Sequence, residues 1–179
     1  MAVRRIGRRL AIVQLGRIAP PGPWRMNDGE MTMTREGGCR CGQVRFRVSE
    51  APKVTMACHC RGCQQMTGSA FSLSALFAAG DFEVTAGEPV IGGLHGATRH
   101  FFCPHCMSWM FTRPEGADLF VNVRATLFDD PSGLEPFMET MTAEKLPWVS
   151  TPAVEGFEGF PQPADYGRLM GAYAARAAG

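Results

Sequence analysis

Seven cysteines fall into three tight groups: Cys39-x-Cys41, Cys58-x-Cys60-x2-Cys63 and Cys103-x2-Cys106. An odd count makes a poor disulfide framework, and cysteines this close in sequence rarely bridge one another. Clustered thiols of this kind point instead to metal. In a tetrahedral zinc–thiolate site each sulfur sits ~2.3 Å from the ion, which puts neighbouring sulfurs ~3.8 Å apart. Residues separated by one on an extended strand project to the same face, so Cys39 and Cys41 can converge. Cys103 and Cys106 can converge across a tight turn, which Pro104 favours by fixing φ. The two pairs together predict a four-cysteine structural zinc site that staples an early strand to a later hairpin.

The middle group leaves an odd number of sulfurs. Cys58, Cys60 and Cys63 can all reach one ion, while His59, between two inward-facing residues, is expected to point away, to solvent or behind the ligands. Three protein ligands and an open position is the arrangement of catalytic zinc. Soft thiolates suit such an ion, and the ion lowers the pKa of an incoming thiol, so the pattern predicts thiol chemistry rather than water activation. Two alternatives stay open on residue types alone. A histidine from elsewhere (His95, His100 or His105) could close the site, or the three cysteines could hold an iron–sulfur cluster.

Short strands must position these groups. In QVRFRV, Val44, Phe46 and Val48 alternate with arginines as a half-buried strand does. KVTMA (53–57) reads as a second strand. FSLSALF (71–77) alternates Phe71, Leu73, Ala75 and Phe77 on one face against Ser72, Ser74 and Leu76. DFEVTAGE, TRHFFC, SWMFTRP and DLFVNV supply further strands, and Gly and Pro punctuate them at close intervals. The expectation is a mainly β fold, an antiparallel sandwich or open barrel. Helix is confined to one or two turns over 61–68 and an Ala-rich tail over 164–178, which shows no strong apolar stripe and is expected to fray.

Composition narrows the function classes. The chain has 179 residues, suited to one domain, and no apolar run long enough to span a bilayer. Its net charge of +1 conceals a partition. Arg4, Arg5, Arg8, Arg9, Arg17 and Arg25 crowd a leader over residues 1–27 that holds no acid, and the rest of the chain carries an acidic excess. A folded body without a basic patch argues against nucleic acid, and no amphipathic run indicates a membrane partner. The leader reads as a disordered extension or a start codon placed upstream of the true one. A secretory signal or an organelle-targeting peptide fits it less well. Reduced, clustered cysteines place the protein in the cytoplasm. The expected organisation is a basic extension over 1–34, a zinc-binding domain over 35–160 and a tail over 161–179. Oligomeric state is left open.

Taken in order, GGCRCGQVRF (37–46), CHCRGCQQMTGSAF (58–71), FFCPHC (101–106) and EKLPWV (144–149) resemble the glutathione-dependent formaldehyde-activating enzyme family, which also contains centromere protein V. The resemblance covers about residues 35–160. It implies an Mss4-like fold of small antiparallel sheets organised around two zinc ions. Cys39, Cys41, Cys103 and Cys106 then match the structural ligands, and Cys58, Cys60 and Cys63 the catalytic or labile ones. It also implies a carbon–sulfur lyase-type reaction joining glutathione, or another small thiol, to formaldehyde as S-(hydroxymethyl)glutathione. Gly68 and Ser69 are candidates for holding the tripeptide or simply form a turn. Trp148 is a candidate cover for the site or a core residue. Met107 departs from the family's glycine after the last zinc cysteine, which implies a different turn or a strained one. A thiol carrier without turnover and a purely structural zinc module are the competing functions.

Overall fold

The computed structural model describes residues 34–93 and 96–177, so the expectations for the leader, and for His95, lie outside the described residues. Eleven strands and two α-helices follow in order: β1 (Arg35–Gly38), β2 (Arg45–Val48), β3 (Val54–Cys58), α1 (Arg61–Thr67), β4 (Ser72–Ala78), β5 (Phe82–Ala86), β6 (Val90–Gly92), β7 (Arg99–Phe102), β8 (Trp109–Arg113), β9 (Phe120–Arg124), β10 (Met138–Thr140), β11 (Glu155–Gly156) and α2 (Asp165–Ala177). They form a three-stranded sheet, β1-β2-β5, and an eight-stranded sheet, β11-β10-β3-β4-β9-β8-β7-β6. The mainly β character, with cysteine clusters at the strand ends, agrees with the Mss4-like expectation.

One core lies between the two sheets, where Phe46 and Val48 of β2 meet Ala75, Phe77, Val121 and Val123 of β4 and β9. Those are the apolar positions that period-two alternation marks out. β1 reaches this core through Gly37, where a Cβ would meet the Phe46 ring at 2.4 Å and the Leu127 carbonyl oxygen at 2.5 Å. Only glycine permits that approach.

Three features depart from the sequence expectations. Pairing is not antiparallel throughout, because β10 runs parallel to both β3 and β11. A three-residue strand such as Met-Glu-Thr is too short to announce itself by alternation. The serine-bearing face of β4 is covered as well as its core face, since Ser72, Ser74 and Leu76 are all buried. Finally, the Ala-rich tail packs: Leu169 is fully buried against Val54, Met56, Leu76, Phe137 and Met138, with Tyr166, Met170 and Tyr173 beside it. Tyr166, Leu169, Met170 and Tyr173 stand at helical spacing on one face, so α2 does carry an apolar stripe, and it is that stripe that docks.

Candidate active site

Cys39, Cys41, Cys103 and Cys106 bring their sulfurs within 4.8 Å of one another. The Cys39–Cys41 and Cys41–Cys103 separations are 3.4 and 3.7 Å, close to the ~3.8 Å edge of a zinc–thiolate tetrahedron. The convergence does not come from an extended strand, as C-x-C spacing implies. β1 ends at Gly38, and the chain turns so that Gly42 N–H donates to Cys39 O and Cys39 N–H to Val44 O. The Val44 N–H also donates to the Cys39 sulfur at 3.3 Å, an interaction that favours thiolate. The Cys103 to Cys106 segment is a matching turn closed by Met107 N–H on Cys103 O. Ser108 joins the two turns, accepting from Arg40 N–H and contacting the Cys106 sulfur. That hydroxyl, with its backbone, draws the Cys106 thiol down to about 5. Four thiol donors at this spacing suit a tetrahedral metal ion.

Cys58, Cys60 and Cys63 form the second cluster, again with sulfurs within 4.8 Å, and all three are buried. Cys58 ends β3. Cys60 is the N-cap of α1, its sulfur accepting from Cys63 N–H at 3.4 Å. The helix therefore builds the C-x2-C knuckle: capping by Cys60 is what turns Cys63 toward it. Hydrogen bonding from Cys63 pulls the Cys58 thiol down to about 5, while the same bond and burial push Cys63 up. Neither His100 nor His105 joins this cluster. The donor set fits a thiophilic ion with three protein ligands.

His59 points away from the sulfurs, as its position between them requires, but not to solvent. It is fully buried, its Nε2 lying 3.2 Å from Glu139 Oε1. Glu139 also accepts from both Lys145 Nζ (2.7 and 2.8 Å) and Thr151 Oγ1. Gln64 Nε2 donates to the His59 and Glu144 carbonyls, and Glu144 accepts from Arg61 N–H at the start of α1. The EKLPW segment thus clamps the Cys58–Cys63 stretch through Glu144, Lys145 and Glu139. Trp148 of that segment is 74% exposed, so it is not a core residue, and it is not among those lining the adjoining cavity. Gly68 takes the left-handed conformation, φ 59°, that ends α1, and its N–H and that of Ser69 are both spent on the Gln64 carbonyl. Neither residue is among those lining the adjoining cavity.

That cavity has a volume of about 920 Å3. Cys58 and Cys63 form part of its wall, continued by Ser72 and Ser74 of β4 and Asn122 and Arg124 of β9. Register explains the grouping: Cys58 pairs with Ser72, Ser74 with Arg124, and Thr112 with Asn122, so one face of four strands is polar. Tyr166 and Met170 of α2 wall the cavity as well. Arg124 is only 7% exposed, with its guanidinium carbon 4.0 Å from the Trp109 ring centroid. Burial lowers its pKa to about 10, and the Cys63 and Cys58 sulfurs oppose that shift, so it stays charged at neutral pH. Asn122 and Arg124 escape a sequence reading because alternation puts them opposite buried Val121 and Val123, on a face that becomes cavity wall only in the folded chain.

The family model for glutathione-dependent formaldehyde-activating enzyme matches residues 34–144. A Halomonas elongata protein bearing that family's name is 30% identical over 142 residues, 72% of this chain and 90% of the relative. A solved Rhodobacter sphaeroides protein aligns at 17% identity with a TM-score of 0.46, covering 68% of this chain and 98% of its own. The matched segment contains both cysteine clusters and the polar cavity wall, and the chain belongs to the glutathione-dependent formaldehyde-activating enzyme family.

Proposed function

We propose that this protein is a zinc-dependent, carbon–sulfur lyase-type enzyme that joins glutathione and formaldehyde as S-(hydroxymethyl)glutathione and runs the same reaction backwards. Cys39, Cys41, Cys103 and Cys106 hold a structural zinc in this reading, and Cys58, Cys60 and Cys63 a second. One observation carries it. A three-sulfur cluster lacking a fourth protein donor among the described residues opens, through Cys58 and Cys63, onto a cavity of about 920 Å3. Cavities of ~300–1,000 Å3 are those that enclose small-molecule ligands.

Zinc at that cluster would supply Lewis acidity that keeps an incoming thiol deprotonated near neutral pH. The chain's own contribution is positional. Glu139, Lys145 and Gln64 hold the segment that carries the cysteines, and Phe120 and Met170 line the cavity with apolar surface that limits water. In the forward direction a sulfur–carbon bond forms as the formaldehyde π pair moves onto oxygen. The proton lost by the thiol is balanced by the one gained at the new hydroxyl.

The test is exchange between 13C-formaldehyde and its glutathione adduct, followed by NMR with and without protein. Exchange well above the spontaneous rate is expected, with two zinc ions per chain by elemental analysis. Exchange equal to the spontaneous rate overturns the enzymatic reading and leaves a thiol carrier.

A further inference from the structure

Arg124 is a buried cation with an unmet hydrogen-bonding demand. Its Nε and Nη1 are buried and have no hydrogen-bond partner. Among the described residues no carboxylate forms an ion pair with it. A guanidinium taken out of water without a carboxylate is costly, and stacking on Trp109 and the nearby Cys63 and Cys58 sulfurs offset the charge but leave its N–H donors unpaired. Two residues earlier on the same face, Asn122 Oδ1 is also buried and unpartnered. Both residues line the cavity that Cys58 and Cys63 enter.

We propose that Arg124 and Asn122 form the specificity site for the thiol substrate, with the Arg124 fork binding a carboxylate and the Asn122 amide oxygen accepting from a neighbouring amide N–H. The inference rests on the thiol-adduct reading above and specifies its substrate class: a peptidic thiol ending in a free carboxylate, rather than a small neutral thiol. A planar guanidinium matches a carboxylate with two parallel hydrogen bonds, as a lysine could not. The spacing is consistent, since residues i and i+2 of a strand lie ~6.5–7 Å apart on one face. A peptide terminus carries its last N–H and its carboxylate on either side of one Cα, and the long Arg124 side chain can converge with Asn122 on both. Arg124 is here a specificity-determining residue, acting on the end of the substrate remote from the reacting sulfur.

Calorimetric titration of the full-length, zinc-loaded protein tests this with S-methylglutathione, which keeps both carboxylates but has no free thiol. The second ligand is the same molecule with its glycine carboxylate converted to an amide. Wild-type protein is expected to bind the acid about 10- to 100-fold more tightly than the amide, the range for a hydrogen bond to a charged group. Arg124→Met is expected to lose that preference, whereas Arg124→Lys keeps the charge without the fork and retains part of it. Neither variant should alter the zinc content or the binding of 2-mercaptoethanol. The acid-to-amide comparison on wild-type protein needs no variant, so misfolding of Arg124→Met leaves the test intact. Equal affinity for acid and amide, an undiminished preference in Arg124→Met, or no binding of S-methylglutathione each overturns the proposal. An Arg124-dependent preference without formaldehyde turnover supports this site while sinking the proposed reaction. Turnover above background with no such preference does the reverse.

Discussion

At the scale of single residues, Met107 shows how a cysteine knuckle tolerates a poor choice. It sits at φ 57°, in the left-handed region, with its side chain largely exposed. A non-glycine residue there costs ~1–2 kcal/mol, and glycine's greater freedom in the unfolded chain gives back ~0.5–1 kcal/mol of the difference. The strain term wins. Met107→Gly is therefore expected to raise the melting temperature by about 1–4 °C at unchanged zinc content, measured by thermal scanning. Glu139 shows the opposite economy. Burial raises its pKa, but hydrogen bonds from Lys145 and Thr151 outweigh that and hold it below the ordinary 4.5. A carboxylate with a depressed folded-state pKa contributes stability that is complete above its unfolded value and lost as pH falls through the folded one. The stability gap between wild type and Glu139→Gln should thus be constant at neutral pH and close below about pH 4.5. A gap independent of pH would mean that Glu139 acts through shape alone.

At the scale of elements, α2 supplies one wall of the cavity. Its buried Leu169 anchors it on β3, and Tyr166 and Met170, on the same side, become wall. Leu169→Ala should cost ~2–5 kcal/mol by urea denaturation, as truncations in a packed core do. It should also weaken glutathione binding, because the wall loses its anchor. Loss of stability with full retention of binding would show that α2 closes nothing. β4 is the complementary case. One face feeds the inter-sheet core through Ala75 and Phe77, the other supplies Ser72 and Ser74 to the cavity, so the strand is buried on both sides for different reasons.

At the scale of the molecule, the two cysteine clusters differ in what they connect. Cys39 and Cys41 follow β1, while Cys103 and Cys106 lie between β7 and β8, so the four-sulfur cluster ties the three-stranded sheet to the eight-stranded one. A structural zinc contributes ~10–16 kcal/mol to folding, comparable with the ~5–15 kcal/mol that a domain has in total. Cys103→Ser is accordingly expected to abolish the cooperative unfolding transition seen by circular dichroism. Cys58, Cys60 and Cys63 come from one short stretch and close no long loop. Cys63→Ser should fold, retain one zinc and bind glutathione no better than S-methylglutathione. If it unfolds as Cys103→Ser does, the second cluster is architectural.

Cysteine spacing alone grouped the sulfurs as four and three, because ligand geometry restricts which neighbours can share an ion. Alternation located β2 and β4, and short apolar runs punctuated by Gly and Pro located β3, β5, β7, β8 and β9. The residues GGCRC, CHCRGC, FFCPHC and EKLPW were enough to indicate the family. The C-x-C convergence was legible, but its turn was not, because local spacing does not distinguish a strand from a knuckle. The parallel β10, the covered face of β4 and the cavity itself were decided by tertiary structure. A strand pattern shows which residues share a face, but what covers that face depends on where a distant helix docks. Arg124 belongs to this second group: in sequence it is one more arginine on a strand, and only the folded sheet, which stacks it on Trp109, makes it a buried charge beside the cysteines.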